Sequence, residues 1–331
     1  MHGVKRQTQQ AIADRKQREK SKIEGLLKLT DAVLDRKKGK DWSAEAFDAT
    51  TQLLTVNPEF YTIWNYRRNI LLNGLFREST PEDINELLSG ELALTMKFLQ
   101  AHPKVYWIWN HRQWCLQNVP QGPGSDLDGW RKKYWAFELQ AVEKMLNADA
   151  RNFHAWNYRR YVLANMSVPR PESSELTYTM KKIESNFSNF SAWHQRSKVY
   201  TSLWHQGKLD PIKSKEKEFE LVRNAMYTDP DDQSIWMYHR WLVGLGHDKE
   251  LLEREIGVIQ ELLEEQPDSK WCMESLVHYK RLILTNYPSD RDPDLVADCV
   301  RLLDQLKDID SARRHRYEEI RQAVVNISTH P

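Results

Sequence analysis

The chain has 331 residues, 29% of them charged, and Lys+Arg 48 against Asp+Glu 47 leaves a formal net charge of +1. That balance excludes a general nucleic-acid or membrane-surface binder, which would carry a pronounced basic surplus. The length allows one large core or two ordinary domains. With 13 Trp and 13 Tyr in so polar a chain, thin apolar layers between helices fit better than disorder.

Apolar runs are too short for a transmembrane helix, and the first residues, MHGVKRQTQQ, lack the apolar stretch of a signal peptide. Cys115, Cys272 and Cys299 stand far apart and read as reduced structural thiols of a cytoplasmic protein. No GxxxxGK[ST], GxGxxG or HExxH pattern occurs, and the eleven histidines are scattered, so no metal site within the chain is expected.

In chain order, residues 1–40 read as a basic, polar arm with a first helix through ADRKQREKSKIEGLLKLTDAVLDRKK. Over residues 41–331 a unit repeats, and this stretch is expected to form a single solenoid domain. The unit opens with a helix whose apolar residues recur at three- and four-residue spacing, as in SAEAFDATTQLLTV (43–56), ELALTMKFLQ (91–100) and DKELLEREIGVIQELLEE (248–265). A turn follows, written NP, HP, DP or QP in several copies. There proline stops the helix, and an Asn or acidic residue can cap the next one.

The second helix carries a tryptophan about one turn in: Trp64, Trp109, Trp156, Trp193 and Trp236, separated by 45, 47, 37 and 43 residues. A weaker sixth copy is anchored on Trp271, and DIDSARRHRYEEI reads as a degenerate seventh. QGPGSDLDG (121–129) and NMSVPRPESSE (165–175) are loops between hairpins, too short to separate domains. The expected fold class is all-α, a right-handed alpha-alpha superhelix of about seven helical hairpins.

Three residues after the tryptophan stands arginine in four copies: Arg67, Arg112, Arg159 and Arg196. The two share a helix face, so the indole is expected to fill the seam between hairpins while the guanidinium satisfies carbonyls or carboxylates. Positions where one copy departs from the others are better candidates for function. Five residues before the tryptophan stand Glu59, Lys104, Arg151, Ser188 and Asp231, and two before it stand Thr62, Trp107, His154, Ser191 and Ser234. Lys104, Arg151 and His154 thus gather at the starts of neighbouring second helices. A ring is kept beside them as Tyr61, Tyr106, Phe153 and Phe190. Such helix starts favour an anion, here phosphate or diphosphate. Ordinary solvated charge is the other reading of the same residues.

The repeated P-x-x-x-x-x-W-x-x-R hairpins resemble the alpha subunits of protein prenyltransferases across essentially the whole chain. Within that family, the start MHG, the segment DPDDQSIWMYHRWLVG and the element KWCM look like the Rab (type II) geranylgeranyltransferase branch. WLVGLGHDKELLEREI runs straight into the next hairpin, so the resemblance is to the short form without immunoglobulin-like and leucine-rich-repeat domains.

The resemblance implies a heterodimer in which a beta subunit holds a catalytic zinc and most of the isoprenoid pocket. Geranylgeranyl diphosphate would lie at the subunit interface, and a Rab escort protein and a Rab GTPase substrate would be further partners. Lys104 would take the role of the family's diphosphate-contacting lysine, with Tyr106 beside it. The family's NYHAW element matches Asn152-Phe153-His154-Ala155-Trp156, which adds a polar contact at His154 and lacks one hydroxyl at Phe153. Lys104 and His154 are the catalytic candidates, and Tyr106, Asn152 and Arg151 the substrate-binding ones. As the C–O bond breaks, negative charge grows on the leaving diphosphate, and a preplaced ammonium stabilises it. His2 is a candidate ligand to the partner's zinc. Two other readings are an alpha subunit shared by farnesyl- and type-I geranylgeranyltransferases acting on CaaX proteins, and a non-enzymatic helical-repeat scaffold.

Overall fold

The computed structural model describes residues 9–290 and 292–329, and every regular element among them is helical. The chain forms two compact units, one ending at Pro169 and the other beginning at Arg170. The first contains α1 (Gln9–Lys38) and the hairpins α2–α3 (Ala44–Val56, Tyr61–Ile70), α4–α5 (Pro81–Ala101, Tyr106–Gln117) and α6–α7 (Gly129–Ala148, Phe153–Asn165). The second contains α8–α9 (Ser174–Ser185, Phe190–His205), α10–α11 (Pro211–Thr228, Gln233–Val243), α12–α13 (Lys249–Glu265, Lys270–Asn286) and α14–α15 (Pro293–Ile309, Arg314–Thr329). In the first unit α3 packs on α5 and α5 on α7; in the second α9 packs on α11 and α11 on α13. No described helix is long and apolar enough to cross a membrane. All three cysteines are buried free thiols.

Helix starts follow local chemistry. Ser43 caps α2 by accepting from the Ala46 N–H, and Asp248 caps α12 by accepting from the Leu251 N–H. α4 begins well ahead of the apolar pattern at 91–100. Thr80 and Asp83 form a reciprocal capping box there, with Pro81 in the first turn. Its opening turns, PEDINE, are polar, and apolar periodicity is blind to them. After α3 the helix widens into a π turn at Leu71–Leu75, where Gly74 passes the backbone of Trp42. A Cβ at Gly74 would lie 2.1 Å from the Trp42 carbonyl oxygen, so only glycine allows this approach.

The anchor tryptophans tie turn to helix. Each indole N–H donates to the carbonyl six residues upstream: Trp64 to Pro58 (2.8 Å), Trp109 to Pro103 (3.0 Å), Trp156 to Ala150 (2.9 Å), Trp193 to Phe187 (2.6 Å) and Trp236 to Pro230 (2.8 Å). The indole therefore fills the seam and also satisfies a partly buried turn carbonyl outside the helix ladder.

The arginines join successive hairpins. Arg67 of α3 makes a two-pronged bond to Glu91 of α4, both N···O distances being 2.6 Å, while its Nη1 donates to Phe47 O and Thr50 Oγ1 of α2. Arg112 repeats the arrangement with Glu138 (2.6 Å twice), Leu92 O and Thr95. Arg196 repeats it with Glu218 (2.7 Å twice), Leu176 O and Thr179. Arg159 is buried at the equivalent position. Each acid is shared with the next second helix: Glu91 with His111, Glu138 with Tyr158, Glu218 with Tyr238. In the fifth copy His239 stands in the arginine's register and bonds Glu255 (3.0 Å) and Tyr279 (2.6 Å).

Burial alone would raise the Glu91 carboxyl, but hydrogen bonds from Arg67 and His111 outweigh it and hold its pKa at about 2. Burial lowers His111, which serves as a neutral donor to that carboxylate. Sequence reading anticipated a carboxylate or carbonyl partner without naming the acids.

Candidate functional site

The candidate residues lie on the turns that open α5 and α7, both in the first unit. α5 follows Val105, which has no side-chain group to cap it. α7 follows Asn152, whose Oδ1 accepts from the N–H groups of His154 (3.0 Å) and Ala155 (3.3 Å). The Asn152 Nδ2 donates to Pro103 O at 3.2 Å and so braces the α4–α5 turn against the start of α7. Asn152 is buried with both polar ends engaged by the protein, so its place is in the wall that positions Lys104.

Lys104 is exposed, with its Nζ 3.4 Å from Asp149 Oδ2. Asp149 also accepts the Arg151 N–H through Oδ1 (3.1 Å), an Asx turn that Asn57, Asn186 and Asp229 repeat in other copies. The Arg151 side chain is exposed on the same rim. An exposed lysine–aspartate pair is worth only about 0–1 kcal/mol, so a multivalent anion can draw the ammonium away at little cost. Asp149 holds the turn in either state, a second role that sequence reading missed because Asn and Asp at turns read as caps alone.

His154 is buried beneath the Tyr106 ring (centroids 4.2 Å apart, 81° between planes) and against the Phe153 ring (3.9 Å). Burial, then the nearby Lys104 charge, lower its pKa, while Glu59 pulls the other way. The imidazole is therefore neutral near pH 7 and acts as a hydrogen-bonding group, leaving Lys104 as the cation beside it. The Tyr61 and Trp107 rings meet at 5.2 Å and extend the aromatic rim. The exposed rings Tyr61, Tyr106 and Phe153 fall at one register of successive second helices. The structure thus brings Lys104, Tyr106, Asn152 and His154 together, with Arg151 on the adjoining turn. His2 lies outside the described residues. Among the described residues, no three His, Cys, Asp or Glu side chains converge as ligands for a metal ion.

Five stretches, 43–74, 88–119, 135–166, 173–203 and 215–245, match the protein prenyltransferase alpha subunit repeat. The geranylgeranyl transferase type-2 subunit alpha of Schizosaccharomyces pombe is 36% identical, over 99% of this chain and 100% of that relative. The chain belongs to the protein prenyltransferase alpha-subunit family, in its type-2 geranylgeranyl transferase branch. The Rattus norvegicus subunit of the same name is 39% identical over 76% of this chain and 43% of its own length, so the end-to-end match is with the shorter yeast subunit. A solved structure described as Candida albicans protein geranylgeranyltransferase-I complexed with GGPP has a TM-score of 0.69 and 20% identity. It covers 91% of each chain, which shows a shared fold. Repeat matches end at 245, and the later hairpins are those whose sequence copies are weakest.

Proposed function

We propose that this alpha subunit acts with a prenyltransferase beta subunit to transfer geranylgeranyl from its diphosphate to C-terminal cysteines of Rab GTPases presented by an escort protein. The carrying observation is the exposed Lys104 ammonium at the uncapped start of α5, paired with the partly exposed Asp149 and backed by the neutral His154. In this reading Lys104 exchanges Asp149 for the diphosphate and stabilises the charge that grows as the C–O bond breaks. His154 offers a ring N–H, Tyr106 keeps the imidazole oriented, and Asn152 fixes the distance between the two turns. Zinc carried by the beta subunit would supply the cysteine thiolate. The 36% identity over the full chain supports the type-2 substrate class over CaaX peptides.

The test uses the purified heterodimer. Lys104→Ala is expected to lower single-turnover geranylgeranyl transfer roughly 10²–10³-fold, with subunit association unchanged. An unchanged rate refutes the assigned role. Transfer to a CaaX peptide without escort protein, in preference to a Rab with it, refutes the substrate class.

A further inference from the structure

The arginine–glutamate ladder changes sign at its end. Three residues after Trp271, where arginine stands in four copies, the chain has Glu274. This acid is buried, and its basic partners come from either side: Arg313 Nη1 at 3.0 Å and Arg240 Nη2 at 3.8 Å. Tyr317 donates to it as well, at 2.7 Å. Arg313 and Tyr317 are shared with Asp310, and Glu274 receives no two-pronged arginine of the kind that Glu91, Glu138 and Glu218 receive.

Around Glu274 the helices α11, α13 and α15 carry more basic than acidic side chains. Arg240, His278, Arg281 and Arg316 line a cavity of about 70 Å³ together with Glu274, Leu303 and Leu306. Arg240 Nε and Arg281 Nε are both buried and have no acceptor among the described residues. Arg316 is exposed. Burial, then the two arginines Arg240 and Arg281, hold His278 down at about 4, so the imidazole adds hydrogen-bonding capacity without further charge. Orphaned guanidinium N–H groups are costly to leave buried, and arginine's fork suits oxyanions in particular. One water needs only about 10–15 Å³ of such space, so about 70 Å³ admits several waters or one small oxyanion.

We infer that the pocket among Arg240, His278, Arg281 and Arg316 is a binding site for a single oxyanion group, phosphate or carboxylate, separate from the Lys104 rim. The group pairs with the guanidinium groups of Arg240 and Arg281 that line the cavity, and the exposed Arg316 adds a third cation beside them. Two sources carry this chemistry: a diffusible phosphate, and a carboxylate presented by a bound protein.

The test is thermal unfolding and calorimetry of the full chain in inorganic phosphate against chloride at matched ionic strength. Phosphate is expected to raise Tm saturably by mass action. Arg281→Gln and Arg316→Gln are each expected to weaken binding roughly tenfold or more, the scale of a lost charge-assisted bond. Arg316 is exposed, so its variant folds normally even if Arg281→Gln is destabilised, and Arg314→Gln on the same helix outside the pocket leaves binding intact. Equal Tm in phosphate and chloride overturns the inference, as does undiminished binding in the Arg316→Gln variant. Repeating the titration on the complex with the beta subunit separates the sources. Persistent phosphate binding assigns the site to a diffusible anion. Lost binding together with weaker association in Arg281→Gln assigns it to the partner's carboxylate.

Discussion

Arg112 and Lys104 belong to one copy of the repeat, eight residues apart, yet they live in different physical regimes. Arg112 is sealed between hairpins against Glu138, whereas the Lys104 side chain is 69% exposed beside Asp149. Inside, desolvation makes each charge depend on its partner, so the pair acts as a fixed joint. On the rim water screens the pair, so the lysine adds little to stability and is available to a ligand. In this copy the recurring arginine is the buried joint, and the lysine that the copy adds is the exposed one.

The largest expected effect comes from the buried side. Arg112→Ala would leave Glu138 with Tyr158 as its remaining partner in a dry seam, a loss of about 3–5 kcal/mol out of a typical stability of roughly 5–15. Urea unfolding measures it. Replacing both partners with apolar side chains of similar volume should recover most of that loss, because the penalty lies in the stranded charge. A single variant within about 1 kcal/mol of the parent would erase the contrast with Lys104. The Lys104→Ala variant completes the comparison. Its transfer rate falls as described above while its unfolding midpoint stays put, and a midpoint shift as large as that of Arg112→Ala would break the division.

Acid should lower stability through the buried side. Glu91 and Glu255 both move from 4.5 down to about 2 on folding. Their folded values lie below their unfolded ones, so the stability they contribute is complete above the unfolded pKa. It is lost as pH falls from about 4.5 through about 2. Denaturation midpoints across that window should decline, and Glu91→Gln should flatten the decline. A flat profile in the parent protein would mean that the ladder is not ionised as described.

The frame of this molecule was legible because its tryptophans sit at fixed places relative to turn and helix, and the turn carbonyl each indole satisfies explains that constancy. Glu91, Glu138 and Glu218 escaped notice for a physical reason. A single acid within an apolar stripe looks like a polar-face residue until the arginine of the preceding hairpin is placed against it. Lys104 and His154 were found by subtracting one copy from another, but their difference in charge state depends on burial, which no spacing reveals. Asn152 was read as a substrate contact from its neighbours in sequence, and only the bond to Pro103 exposes its bracing role.

Asn152 therefore supplies the smallest and most discriminating test, because it joins the two regimes. Asn152→Ala removes a helix cap and the brace between turns, and caps are worth about 0.5–2 kcal/mol. Unfolding should shift by that amount, well short of the Arg112→Ala effect. The transfer rate should fall as well, since the α4–α5 turn carrying Lys104 is no longer held to α7. The Asn152→Asp variant keeps an oxygen for the cap but has no donor for Pro103. If it recovers stability and leaves the rate low, the residue acts through the position of Lys104. If it recovers both, capping alone accounts for Asn152, and the rim is organised by α7 without help from the neighbouring turn.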